Sequence, residues 1–179
     1  GAKELFPTDG WGSDVMGENP PQDGDITACN AVFNRTGEMF NTAFTHAQNI
    51  GVKTALGTEL PLGVENDGYD SWVRGIPVEL QDRLTNIGMD PAAPNTVKEV
   101  YKGIFKRIMA THPLDYYWLW SYEIWPGDNS TWVQSYEDDI SLAIEALNEL
   151  GNPFQIAHAG WQLGTNTNPA ELENVFPPE

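Results

Sequence analysis

Cysteine is almost absent: Cys29 is the single one in 179 residues. No intrachain disulfide can form, and no thiolate zinc framework can be built. Basic residues are scarce too. Nine Lys and Arg stand against 26 Asp and Glu, for a formal charge of −17. A surface this negative repels nucleic-acid phosphates and anionic headgroups, so DNA, RNA and membrane surfaces are not expected partners. It also suits plain solubility, or life in salt outside the cell. No apolar run approaches the ~20 residues of a membrane span. No HxxxH or HExxH spacing offers a transition-metal site, and no EF-hand loop offers calcium, which leaves only scattered loop carboxylates for that ion. No metal and no cofactor is expected. The phosphate-cradling patterns GxGxxG and GxxxxGKS/T are missing, which argues against nucleotides, and so is the serine elbow GxSxG.

Length sets the next bound. A chain of 179 residues suffices for one domain with a sizeable core. It is short of the roughly 250 residues of a complete (β/α)8 barrel. It opens Gly1-Ala2-Lys3 with no Met and no signal peptide, so the expectation is a processed chain or a piece of a longer polypeptide. The sequons Asn34-Arg35-Thr36 and Asn129-Ser130-Thr131 are triplets that arise often by chance.

What the chain has in quantity is tryptophan and periodic apolar segments. Seven tryptophans occur, and Trp118, Trp120, Trp125 and Trp132 are clustered. Residues 1–33 are rich in Gly, Pro, Asp and Asn and read as an irregular region, with a short strand near Asp14-Val15-Met16. The remainder, 34–179, reads as βα repeats. Met39, Phe40, Ala43, Phe44 and Ala47 fall at helical spacing over 34–49, and Gly51 is a helix-ending residue. Val52 to Gly57 reads as a buried strand closed by Thr58-Glu59-Leu60-Pro61. A long connection over 62–94 holds a short helix near Val78–Leu84. Thr96 and Glu99 form a capping box that opens a helix to about Ala110, ended by His112-Pro113. Asp115 to Trp120 is an aromatic strand. A helix over about 136–150 carries Glu137, Asp138 and Asp139 at its positive end. Phe154 to His158 is the next strand, and Asn168-Pro169 starts a last helix. Helices and strands that alternate imply a parallel sheet with right-handed crossovers. Helix-to-strand links are short and strand-to-helix links long, so the working loops belong at the strand C-terminal ends.

Those ends carry the candidate chemistry. Glu59 follows one strand and Glu123 the next. Two carboxylates across a sugar pocket supply the acid and the nucleophile or base of glycoside hydrolysis. The competing reading makes each Glu a structural ion-pair or cap partner. Glu18 is a third such carboxylate, and Asp128 is placed to bind a hydroxyl or modulate Glu123; solvated loop acids are the better account of both. Trp125 and Trp161 lie beyond strand ends, where flat aromatic faces suit the C–H faces of sugars, and Trp72 in the long connection is placed to cover the site. Trp118 and Trp120 are expected mostly in the core. His158 can hydrogen-bond a hydroxyl or orient a carboxylate, or be a satisfied buried histidine. His46 and His112 are expected to be structural.

At Thr54-Ala55-Leu56-Gly57-Thr58-Glu59, at Asp115 through Glu123 and at Ala157-His158-Ala159-Gly160-Trp161, the chain resembles bacterial glycoside hydrolases of the (β/α)8 type. The resemblance covers about residues 50–165. It implies a TIM-barrel fold, present here in part, with Glu59 and Glu123 as the catalytic pair. It implies a carbohydrate substrate, a secreted or periplasmic location, and another chain or segment that completes the barrel. Many retaining barrel enzymes carry Asn-Glu at the acid/base strand; here Thr58 and Tyr122 precede the two glutamates. The alternative function is a non-catalytic carbohydrate-binding or structural α/β domain.

Overall fold

The computed structural model describes residues 26–60, 78–121 and 130–159. In chain order these form α1 (Ile26–Asn49), β1 (Ala55–Leu60), α2 (Val78–Asn86), α3 (Pro94–Thr111), β2 (Tyr116–Ser121), α4 (Ser130–Glu149) and β3 (Gln155–Ala159). The protein is α/β, and among the described residues the three strands make one parallel sheet in the order β1-β2-β3. No described helix is long and apolar enough to cross a membrane. Two compact units divide the chain: residues 26–54 with 107–114, and the remaining described residues.

In the first unit, α1 begins at Ile26, so the irregular region expected over 1–33 gives way to helix before its end. Long-range contacts explain the extra turns. Val32 is buried, the Arg107 guanidinium lies 4.1 Å from the Phe33 ring centroid, and it donates hydrogen bonds to Asn30 and Asn34. The packed side of α1 also differs from the expected one. Met39 and Ala43 are exposed, whereas Gly37 is buried and Phe40 and Phe44 are half-buried. Helix α1 ends at Asn49 and is closed off at Gly51, whose φ of 80° is open to glycine at little cost. There the Gly51 amide bonds the Gln48 carbonyl and the Val52 amide bonds the Ala47 carbonyl. That double closure draws Val52 into the helix cap. Val52 is therefore not in the strand, and β1 starts at Ala55.

The second unit holds the sheet and its helical cover. Strand alternation sends Tyr117 and Leu119 to one face, where both are buried. Phe105 of α3 meets Tyr117 edge to face at 4.9 Å and Phe154 at 5.3 Å. Helix α4 adds Tyr136, Ile140, Ala143 and Leu147, all buried, and the Tyr101 hydroxyl of α3 donates to the Asp139 carboxylate. Two starts move earlier than expected. Helix α3 begins at Pro94, with the Thr96 and Val97 amides bonded to the Ala93 carbonyl, so Thr96 is inside the helix and does not cap it. Proline at a first helical position has its φ preset and loses no needed N–H. Helix α4 begins at Ser130, which leaves Glu137, Asp138 and Asp139 beyond the first turn, where the helix dipole no longer favours them.

Candidate functional site

The candidate site is the sheet and the edge where its strands end. The register pairs Ala55 with Tyr116, Gly57 with Trp118, Glu59 with Trp120 and Leu60 with Ser121 across β1 and β2. Across β2 and β3 it pairs Trp118 with Ala157, Leu119 with His158 and Trp120 with Ala159. Register partners in a parallel sheet share a face and neighbouring strands lie ~4.8 Å apart. Two rows result at the C-terminal half of the strands. One runs Gly57–Trp118–Ala157 and continues with Trp120 and Ala159. The other, toward the helices, runs Thr58–Leu119–His158.

Glu59 therefore lies within β1, as its penultimate residue, and not beyond it. The strand shift explains this: with Val52 in the helix cap, pairing to β2 continues through Leu60. Glu123 follows the end of β2 in sequence but lies outside the described residues, as do Glu18, Trp72, Trp125, Asp128 and Trp161. His158 is described. It is half-buried on the helix-side row next to Leu119, whereas Trp118 and Trp120 occupy the opposite row. Burial lowers its pKa below the ordinary histidine value, which favours the neutral imidazole. Burial likewise pushes the Tyr117 phenol well above its ordinary value, as expected of a core residue.

Sequence reasoning put Trp118 and Trp120 in the core, and the structure corrects this. Trp118 is 44% exposed, and its ring centroid is 5.2 Å from that of Trp120 at a 45° tilt. Alternation alone could not decide, because Tyr117-Leu119 and Trp118-Trp120 are both apolar pairs. The usable signal is across the strands. Gly57 and Ala157, the register partners of Trp118, carry almost no side-chain bulk, so neither neighbouring strand can bury that indole. Flat aromatic surface flanked by small residues can accept the apolar face of a planar or ring-shaped ligand. Among the described residues, no three His, Cys, Asp or Glu side chains converge as a metal site would require. No protein-family model, curated protein or solved structure matches the chain.

Proposed function

We propose that this chain is, or belongs to, a glycoside hydrolase acting on a polysaccharide or oligosaccharide. One observation carries the reading. The parallel register levels the C-terminal ends of β1 and β2, pairing Leu60 with Ser121, with Glu59 one residue before the first end and Glu123 two residues after the second. The C-terminal edge of a parallel sheet is where α/β folds keep their chemistry, and in sequence Glu59 and Glu123 bracket that edge on either side of the two strand ends. In this reading Glu59 and Glu123 share the acid and nucleophile or base roles, and Trp125, Trp161, Asp128 and Trp72 contact the sugar. His158 acts from behind the sheet, through residues it packs against. Further strands from another chain or segment complete the barrel, and the place of action is secreted or periplasmic.

A second reading, carbohydrate binding without hydrolysis, is favoured by the exposed Trp118 beside Trp120. Reducing-end release from a panel of neutral polysaccharides separates the two. Glu59→Gln and Glu123→Gln should each lower turnover by about 10²–10⁴-fold, the usual worth of a general acid or base, with sugar-induced tryptophan fluorescence change retained. Undiminished turnover in both variants removes the two-glutamate mechanism. Binding with no turnover in the wild type favours the second reading.

A further inference from the structure

His112 is the least ordinary buried polar group among the described residues. It follows the last residue of α3, is 6% exposed, and lies against two rings of α1. Its ring centroid is 5.3 Å from that of Phe40 and 5.5 Å from that of Phe44, the latter edge-on at 80°. The same two helix ends are held by the Asn41 amide, which donates to the Thr111 carbonyl at 2.9 Å. Gly37 permits the approach: a Cβ there would stand 3.1 Å from the Thr111 Cβ.

The hydrogen bonds fix the state of the imidazole. The Thr111 hydroxyl has one proton, and it lies 2.8 Å from the Arg107 carbonyl and 3.2 Å from that of Ile108, both of which only accept. With that proton on the nearer Arg107 carbonyl, the hydroxyl oxygen is the acceptor in its 2.9 Å contact with His112 Nδ1, which then carries the hydrogen. Nε2 is then a bare lone pair, buried with no hydrogen-bond partner. A buried acceptor left unpaired is tolerated better than a buried N–H left unpaired. Protonation would turn Nε2 into that unpaired N–H and add a charge between two phenyl rings.

We propose that His112 is an acid-sensitive latch, whose neutral, Nδ1-protonated ring holds the C-terminal half of α1 on the end of α3 and whose protonation loosens it. The charged groups on the packed elements are placed not to interfere. Arg35, Glu38 and His46 of α1 and Lys106 of α3 are exposed, and Arg107 is engaged with Asn30, Asn34 and Phe33. Burial is the cause that lowers the His112 pKa from 6.5. A folded-state pKa below the unfolded one gives stability that is full above the unfolded value. That stability is lost as pH falls from there toward the folded value, and no further below it.

The test is carried out on the full chain. Nitrogen-15 imidazole spectra at pH 7.5 should show the Nδ1–H tautomer for His112, and its titration should lie below the ordinary histidine range. Amide protection over residues 40–48, corrected for intrinsic exchange, should fall as pH drops below 6.5, by at most about tenfold per pH unit, the limit for one proton. His112→Phe, which fills the same space without a proton site, should abolish that dependence, while His46→Gln should leave it. An Nε2–H tautomer overturns the proposal. So does titration above the ordinary value, as a cation stabilised by the ring faces would give. An unchanged acid response in His112→Phe overturns it as well. Should that variant not fold, the wild-type tautomer and titration decide alone.

Discussion

Gly57 controls how closely β1 can run beside β2. A Cβ at this position would overlap the backbone carbonyl of its register partner Trp118. The obstacle is main chain, so no rotamer change relieves it, and only separation of the strands does. Gly57→Ala should therefore destabilise at the upper end of the ~1–3 kcal/mol typical of overpacking, read as a lower urea midpoint with an unchanged slope. A neutral result would mean that β1 pairs differently, and the level strand ends that support the two-glutamate reading would go with it. The sequence made part of this legible. Glu59 was visible as a residue near a strand end, because an apolar run and Pro61 frame it. The exposure of Trp118 was not, because it depends on the bulk of Gly57 and Ala157 on other strands, which the β2 sequence does not contain. Nor was the burial of His112, since Phe40 and Phe44 come to it from a helix far away in sequence.

Helices α3 and α4 are joined by apolar packing and by a small ionic cluster whose weights differ. Glu149 of α4 contacts Lys102 at 2.7 Å and Lys98 at 3.0 Å, while Glu145 reaches Lys98 and Glu99 reaches Lys102. The hydrogen bond from Lys102, then that from Lys98, holds the Glu149 carboxyl below its ordinary pKa. Its contribution is therefore present above the ordinary carboxylate value and is lost as pH falls through the depressed one. The cluster is solvated, and each lysine keeps a second carboxylate when Glu149 is removed. Glu149→Gln should give a small fall in melting temperature at low salt. The fall should vanish near 1 M salt, where the screening length is about 3 Å. A large, salt-independent fall would show that Glu149 acts through packing instead. At this scale periodicity is a good guide: of the apolar positions at helical spacing in α3 and α4, Tyr101, Phe105, Ile108, Ile140, Ala143 and Leu147 are buried, while Val100, Ile104 and Ile144 are half-buried. Helix starts were a poor one. The Thr96-Glu99 pair has the spacing of a cap, but Pro94 begins the helix two residues sooner, and local pattern could not rank the two signals.

For the whole molecule, the sequence specified a parallel α/β arrangement through alternating periods and uneven links, and the sheet has that form. It could not specify what covers the sheet. Parallel sheets are normally covered on both faces. Here Trp118 is exposed on one face, and among the described residues β1 and β3 each pair on one side only. Such edges and aromatic surface favour association between copies. At neutral pH the charge of −17 opposes it, since like-charged molecules repel. That repulsion disappears as pH approaches the isoelectric point near 4.2. Light scattering should accordingly rise steeply as pH falls from about 5 toward 4.2, and salt at neutral pH should produce a weaker rise by screening. Trp118→Ser should reduce the acid-induced scattering at equal net charge, since it removes exposed aromatic area without altering titration. If the variant scatters as the wild type does, association runs through the strand edges or another surface, and the Trp face is covered in solution. If the variant stays clear, the uncovered indole surface is what the acidic charge has been keeping apart, and sugars that occupy it should protect the wild type in the same assay.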